Sequence, residues 1–291
     1  MELSTQERRR TIRNLVIFTV VALGCGFVGF ALDRLSPPQD SMQGLGALIW
    51  LVSPLAANLI LRLVGGDGWK DFGIRPNLRS GWMWYPVALL IAPLVTLAAL
   101  LLGAVLGAVS LSGFSEQGFG AFLPLAGAVF VGVLVKNIFE EFAWRGYLTP
   151  RFAALKLHPF ANAILTGFIW AGWHIPYYLY FLSRLELQSY TKLGAPTLIL
   201  LAFLVLPFQA LAYGELRLVS KTVWTTWLLH NVANAISLPL LANGFVSLRG
   251  GSAGVLLSPG TEGVLYALLM GLVGFGLYRY RMGKLVQVVS T

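Results

Sequence analysis

The chain has 291 residues, of which 57% are hydrophobic and only 11% are charged. Soluble domains have about 25% charged residues, and a soluble fold could not bury this much apolar surface. The formal net charge of +9 comes from 21 lysines and arginines that lie between apolar runs rather than in one patch, which argues against nucleic-acid binding. The composition predicts an integral membrane protein whose main partner is the lipid bilayer.

Eight apolar runs follow one another along the chain, and each is about as long as a membrane-spanning helix. They cover residues 14–32, 42–64, 82–112, 121–148, 159–182, 196–214, 222–242 and 262–279. Basic residues precede the first run as in a signal peptide, but no small-residue cleavage site follows, so we interpret this run as an uncleaved helix. Backbone groups in lipid need partners within their own segment, and alternating barrel-type patterns are absent. We therefore expect an all-α polytopic bundle of about eight transmembrane helices, in a single domain covering residues 1–291.

Positive charges divide unequally between alternate loops. One side carries fifteen: Arg8, Arg9, Arg10, Arg13, Arg62, Lys70, Arg75, Arg79, Arg151, Lys156, Arg217, Lys221, Arg279, Arg281 and Lys284. The other side carries four: Arg34, Arg184, Lys192 and Arg249. Because cytoplasmic loops attract lysine and arginine, this bias predicts cytoplasmic N- and C-termini and an even number of crossings. Together with helices rich in glycine, alanine and tryptophan, it favours a prokaryotic plasma membrane.

The longest polar segment, residues 65–80, separates the second and third runs and contains the glycine, aspartate and proline residues typical of a loop. Aromatic residues flank the run that follows, as anchors at a membrane interface do: Trp69, Trp82, Trp84 and Tyr85. The segment is predicted to be cytoplasmic, and no linker or second domain is indicated.

Ionisable side chains inside membrane spans are costly and usually mark a functional site. In this chain, those that cannot be explained as loop charges occur in three of the apolar runs. The fourth run contains Lys136, Glu140, Glu141 and Arg145, the fifth contains His174, and the seventh contains His230 together with Asn234. Three helices can therefore present polar groups to one shared cavity.

Helical spacing sorts these residues by face. Glu141 and Arg145 are four residues apart and can form an ion pair, to which we assign a structural, supporting role. Glu140 points about 100° away from Glu141 and has no partner four residues further on, so we expect an unpaired carboxylate facing the cavity. His230 and Asn234 are also four residues apart and project toward one point.

This set supports activation of a water molecule and stabilisation of a tetrahedral oxyanion. Glu140 can act as a general base on water, and His174 can orient that water or share its proton. His230 and the Asn234 amide can donate hydrogen bonds to the oxyanion. Pro176 cannot continue the helical hydrogen-bond ladder, so we expect it to kink the fifth helix and open a water pocket.

The remaining polar residues have simpler interpretations. Lys136 is expected to snorkel toward the membrane surface or to pair locally. His158 lies beside Pro159 at a predicted helix start, and Glu262 is interpreted as an interface or capping residue.

Three motifs occur in an order that resembles the CAAX prenyl protease and bacteriocin-processing family of intramembrane endopeptidases. EEFAWR at Glu140–Arg145 is similar to the family's motif of two glutamates and an arginine. His174 is similar to the histidine of the second motif, and HNVAN at His230–Asn234 to the third. The resemblance covers residues 121–242, which we interpret as the catalytic-motif core. One position departs from the pattern, because the family usually has phenylalanine four residues before the second-motif histidine and this chain has Trp170.

The resemblance implies a type II CAAX prenyl endopeptidase-like, glutamic protease that needs neither a metal ion nor another cofactor. The implied roles are water activation by Glu140 and His174, an oxyanion site of His230 and Asn234, and support from Glu141 and Arg145. The implied substrate is a peptide or a lipidated protein, prenylated or otherwise associated with the membrane. Trp170 is expected to affect the shape of the substrate channel more than hydrolysis.

Two other functions are compatible with the same residues. A zinc hydrolase could use Glu140, His174 and His230 as three protein ligands, although the HExxH spacing on one helix is missing and Cys25 is the only cysteine. A non-catalytic membrane protein could keep the fold and capture a peptide, as an immunity protein does, or use the buried charges as a transport relay.

Overall fold

The computed structural model describes residues 3–190, 194–249 and 252–289, which form a bundle of helices. Up to the centre of the chain the elements are α1 (Thr5–Asp33), a 3-10 turn (Ser41–Gln43), α2 (Leu45–Leu63), α3 (Leu78–Gly81), α4 (Trp84–Val105), β1 (Val109–Ser110), α5 (Ser112–Ala143), a π-helical segment (Trp144–Leu148) and α6 (Thr149–Ala154). The elements that follow are α7 (Pro159–Pro176), a second π-helical segment (Tyr177–Phe181), α8 (Arg184–Tyr190), α9 (Ala195–Ser220), α10 (Trp224–Ala242), β2 (Ser247–Leu248), α11 (Ser252–Leu256) and α12 (Val264–Val289). The two short strands pair antiparallel.

The prediction of an all-α membrane bundle is confirmed. Each of the eight apolar runs coincides with one long helix. Among the described residues, five helical stretches are long and apolar enough to cross a bilayer: Thr5–Asp33, Leu45–Leu63, Trp84–Val105, Ser112–Ala154 and Ala195–Ser220. The exact number of crossings and the cytoplasmic location of the termini stay predictions. Lys192, one of the loop charges used for that orientation, lies outside the described residues.

The surface of the bundle is apolar and part of its interior is polar. More than half of the surface of several aliphatic residues on the helices is exposed, including Val20, Leu94, Val131 and Leu200. In contrast, ionisable and amide side chains are buried inside the bundle: Asn137, Glu140, Glu141, Arg145, His230 and Asn231. This distribution is expected where lipid replaces water as the solvent, because apolar side chains can then face outward at no cost.

The helix ends and prolines also fit a membrane bundle. At the start of α1, Ser4 Oγ accepts a hydrogen bond from the Glu7 backbone amide at 3.2 Å, while the Glu7 carboxylate accepts one from the Ser4 amide at 2.9 Å. Six of the long helices contain a proline: Pro54, Pro93, Pro124, Pro176, Pro207 and Pro239. Membrane helices tolerate such prolines because neighbouring groups satisfy the freed carbonyls.

Helix packing brings the ends of three helices together in the polar interior. Helix α9 packs against α7 and α12, α10 packs against α5 and α4, and α2 packs against α1 and α5. Helices α1 and α2 approach closely where Gly29 faces Gly46, and a Cβ atom on either glycine would collide with the backbone of the other. Helix α7 also contacts the π-helical segment that follows α5, so α5, α7 and α10 surround the buried carboxylates.

The polar loop between α2 and α4, hereafter the α2–α4 loop, is held to the bundle by arginines. The Arg62 guanidinium lies 2.8 Å from an Asp71 carboxylate oxygen and donates to the Gly146 carbonyl at 2.7 Å. Arg151 reaches the same Asp71 oxygen at 2.9 Å. Arg217 donates to the Asp71 carbonyl at 2.7 Å. The loop is therefore attached both to helix ends and to the first π-helical segment.

The second acid of the α2–α4 loop is also committed to the bundle. Asp67 accepts a hydrogen bond from the Tyr147 hydroxyl at 2.7 Å and lies 3.5 Å from Arg151. Gly73 has φ +75° and packs so tightly on Arg217 that a Cβ atom would collide with the guanidinium. Both aspartates of the loop thus compensate buried arginines, and the loop is an ordered part of the fold.

Candidate active site

Glu140 and Glu141 lie at the end of α5, four and three residues before the π-helical segment Trp144–Leu148. Both residues are buried, with 2% and 0% of their surface exposed. Segments with π geometry are rare and frequently occur at functional sites. Because adjacent residues of a helix point about 100° apart, the two carboxylates reach different partners.

Glu141 joins two of the predicted site residues. Its Oε1 accepts a hydrogen bond from Arg145 Nη1 at 2.9 Å and lies 2.9 Å from His230 Nδ1. The predicted ion pair between Glu141 and Arg145 is therefore present, and both side chains are fully buried. An ionised carboxylate can only accept, so Nδ1 of His230 carries a proton and Nε2 is the ring atom left for other partners.

Two aromatic rings enclose the guanidinium of Arg145. Its central carbon lies 4.2 Å from the ring centroid of Trp170 and 4.5 Å from that of Tyr213. Such cation–π contacts stabilise a charge that is removed from water. This packing fits the supporting role expected for Glu141 and Arg145. The hydrogen bond from His230 to Glu141 also orients the imidazole ring of His230.

The expectation of an unpaired Glu140 carboxylate is wrong. Lys136 donates to Glu140 Oε1 from one turn earlier in α5, and Trp170 Nε1 donates to Oε2 at 3.0 Å. The residue four positions after Glu140 offers no partner, but a helix brings the residue four positions before equally close. Lys136 thus pairs locally. Its side chain is 33% exposed, whereas the side chain of Glu140 is buried.

Trp170 connects Glu140 with His174. Its indole donates to the Glu140 carboxylate, and its carbonyl oxygen lies 2.9 Å from His174 Nδ1. A carbonyl can only accept, so Nδ1 of His174 carries the proton and Nε2 holds the lone pair. Glu140 also interacts electrostatically with Lys136, His174 and His230. Three of the predicted catalytic side chains therefore belong to one polar cluster.

Asn234 lies one turn after His230 on α10 and faces α5. Its Nδ2 is 3.4 Å from Oδ1 of Asn137, and the Asn137 amide donates to Asn231 at 3.2 Å. Asn137 and Asn231 extend the predicted site and were missed because their signal is only an amide inside an apolar run. These amides link the end of α5 to α10.

The second π-helical segment follows the helix that carries His174. Helix α7 ends at Pro176, and this change of helix geometry is what a proline is expected to cause. The Tyr178 ring stacks on His174 with 5.7 Å between centroids, and its hydroxyl donates to Glu262 at 3.3 Å. Glu262 also interacts electrostatically with Lys136, the partner of Glu140. The water pocket expected beside Pro176 stays a prediction.

His158 lies apart from this polar cluster. It precedes the first residue of α7, as expected for a helix start, and stacks on Phe160 with 5.3 Å between ring centroids. Within the described ranges, no three histidine, cysteine, aspartate or glutamate side chains are grouped so that they could hold a metal ion. Glu140, His174 and His230, the alternative zinc ligands, are not grouped in this way among those residues, and a metal-independent reaction stays a prediction.

Part of the chain is similar to a known protein family. Residues 122–236 match the model of a family described as Type II CAAX prenyl endopeptidase Rce1-like. The matched segment includes Glu140, His174, His230 and Asn234. A search of the curated proteins finds no match. The resemblance predicted from the three motifs is therefore confirmed, and the similarity of residues 122–236 to the Rce1-like family supports a membrane protease of the CAAX type.

Proposed function

We propose that this chain hydrolyses a peptide bond within the membrane, using water activated by Glu140 and His174, and that its substrate is a prenylated or other membrane-associated protein. The observation that carries the proposal is the connection through Trp170, whose indole holds Glu140 and whose carbonyl holds His174. A base and an imidazole that are held by one residue keep a fixed separation, as water activation requires. The Rce1-like match supports the protease class.

Both partners of this pair act as acceptors toward the water molecule. The Glu140 carboxylate takes one proton of the water, while Nε2 of neutral His174 accepts a hydrogen bond from the other hydrogen. The water oxygen forms a bond to the carbonyl carbon, and the electron pair of the C=O bond moves to its oxygen. Glu140 then gives its proton to the leaving nitrogen, the C–N bond breaks, and an amine and a carboxylic acid result.

His230 and Asn234 stabilise the oxyanion formed in this step. Because Nδ1 of His230 is bonded to Glu141, Nε2 donates only from the doubly protonated ring. Asn234 has a long, 3.4 Å hydrogen bond to Asn137 that it can exchange for the oxyanion. One donor of this kind contributes about 10²–10³-fold to kcat.

The proposal is tested with the purified full-length chain in lipid vesicles and two peptides of identical sequence, one of them prenylated on a cysteine. We expect cleavage of the prenylated peptide, seen by mass spectrometry as two new products, and no change on adding a metal chelator. Recovery of only intact peptides, or loss of cleavage with the chelator and its return with zinc, would contradict the proposal. A non-catalytic membrane protein would bind the peptides and release them intact.

The resemblance implied that Trp170 affects the substrate channel more than hydrolysis, but its hydrogen bond to Glu140 points to hydrolysis instead. Replacing Trp170 by phenylalanine is therefore expected to lower kcat about 10-fold and to leave KM nearly unchanged. The variant keeps the aromatic ring over Arg145 but removes the N–H donor to Glu140, and a hydrogen bond to a charged group contributes about 1.5 kcal/mol or more. The matched control is Trp227→Phe, which loses an indole hydrogen bond to the Leu134 carbonyl outside the catalytic pair. Equal losses of activity in both variants would contradict the role of Trp170.

A further inference from the structure

Four cationic side chains line one cavity beside the α2–α4 loop. The cavity, hereafter the basic cavity, has a volume of about 920 Å³ and is lined by Lys70, Arg75, Arg79 and Lys221 together with Trp69 and Ile74. Lys70, Arg75 and Arg79 belong to the loop, and Lys221 follows the last residue of α9. No acidic residue contributes to this lining in the part of the chain that the structure describes. The α2–α4 loop and the end of α9 thus both contribute basic side chains to this cavity.

The charges of the basic cavity are not compensated within the fold. The α2–α4 loop has two acids, and both are used elsewhere: Asp71 contacts Arg62 and Arg151, and Asp67 contacts Tyr147. The four cations of the cavity have no ion pair with any residue in 3–190, 194–249 or 252–289. Four cations at one site repel each other, and a bound anion reduces this repulsion. The electrostatic attraction for an anion is therefore stronger here than at a surface that carries both positive and negative charges.

The walls of the basic cavity are fixed by hydrogen bonds rather than by the side chains that line it. The Gly73 carbonyl accepts from the Val223 amide at 3.0 Å. The Ile74 carbonyl accepts from Trp224 Nε1 at 2.6 Å. The loop and the start of α10 therefore keep their spacing without an occupant. Such a site is preorganised, since little ordering of the backbone is needed when a ligand binds.

Exposed aromatic and apolar side chains lie in the same loop as the basic cavity. Trp69 and Trp82, predicted as interface anchors, are 47% and 62% exposed, and Leu78 is 64% exposed. Tryptophan and apolar side chains next to lysine and arginine are typical of the headgroup region of a bilayer. A dissolved anion would contact only the basic side chains and would leave these apolar residues exposed to water. A lipid can contact the basic side chains with its headgroup and the apolar residues with its acyl chains.

We propose that the basic cavity binds the phosphate headgroup of an anionic lipid in the leaflet next to the α2–α4 loop. The lipid phosphate lies among Lys70, Arg75, Arg79 and Lys221, and its acyl chains lie along the exposed apolar surface beside Trp69 and Trp82. One water molecule occupies only about 30 Å³ in the liquid, so a cavity of about 920 Å³ is much larger than a lone phosphate ion needs. Its volume therefore favours a whole lipid headgroup. The bound lipid neutralises charge that the fold leaves uncompensated.

The test is a titration of the purified, delipidated full-length chain in detergent, followed by native mass spectrometry. Phosphatidylglycerol is expected to bind more tightly than phosphatidylcholine. A variant with Arg75→Gln and Arg79→Gln is expected to bind phosphatidylglycerol about 30-fold more weakly, from about fivefold per basic residue near a charged headgroup. The matched control carries Arg8→Gln and Arg9→Gln, which remove the same charge from exposed arginines of α1.

Each outcome of this titration decides the proposal. An effect confined to the Arg75 and Arg79 variant, with an unchanged thermal transition, supports it. An equal loss in the Arg8 and Arg9 variant would mean a diffuse effect of net charge and would overturn it. Inorganic phosphate or an acidic peptide that binds as tightly as phosphatidylglycerol would also overturn it. Lipid binding is measured without a peptide substrate, so the result is independent of the proposed hydrolysis.

Discussion

Replacing Glu140 by glutamine is expected to lower kcat for peptide hydrolysis by ~10²–10⁴-fold, the range for losing a general base. Glutamine fills the same space and can still accept the hydrogen bond from Trp170, but its amide cannot take a proton from water. The measurement is the rate of product formation from a prenylated peptide, with the amount of folded protein determined for each preparation. KM is expected to change little, because the fold around the site is retained.

The control for Glu140→Gln is Glu215→Gln. Glu215 is also buried and also ion-paired, since its carboxylate accepts hydrogen bonds from Arg281 at 2.7 and 2.9 Å, but it lies on α9 outside the polar cluster. We expect this variant to lose stability and to keep its rate per folded molecule. Because Glu140→Gln also leaves Lys136 without its partner, the double variant with Lys136→Met is made as well. Wild-type rates in either Glu140 variant would exclude the proposed base.

Replacing Arg145 by methionine is expected to reduce the free energy of unfolding by about 3–5 kcal/mol, the range for removing one partner of a buried ion pair. Methionine occupies much of the space between Trp170 and Tyr213, so the loss comes mainly from the charge of Glu141, which stays buried without its cation. His230, which shares the same carboxylate oxygen, is expected to lose its orientation too. Unfolding in detergent, followed by loss of helical signal, measures the difference.

A second substitution distinguishes charge from packing at Arg145. If the uncompensated Glu141 charge causes the loss, Arg145→Met combined with Glu141→Gln is expected to be more stable than the sum of the single effects. Additive losses in the double variant would instead assign the effect to packing of the guanidinium between the rings. An Arg145→Met variant as stable as the wild type would contradict the buried ion pair itself.

Local spacing in the sequence predicted the parts of the structure that depend on a single helix. The apolar runs predicted the long helices because bilayer thickness sets a minimum length for each span. The four-residue spacing of Glu141 and Arg145 predicted their ion pair because residues four apart lie on the same face of a helix. The error at Glu140 has a local cause as well, since its partner Lys136 lies one turn earlier and not one turn later.

Contacts between helices could not be predicted from spacing within one of them. Trp170 stood out in the sequence only as a departure from the family motif, and its hydrogen bond to Glu140 depends on how α7 packs against α5. The same holds for Tyr178 and Glu262, which meet although 84 positions separate them. Side chains at such distances meet only through the tertiary fold, and one sequence carries no signal for the angle between two helices.

The attachment of the α2–α4 loop has a consequence for how the protein opens. Arg62 and Arg217 each donate both to Asp71 of the loop and to a backbone carbonyl, of Gly146 and Arg145 respectively, so they link the loop to the backbone that follows the two glutamates. Releasing the loop would remove hydrogen-bond partners from two buried guanidinium groups. The loop and the end of α5 therefore form one cooperative unit, in which local unfolding at the membrane surface reaches the carboxylates directly.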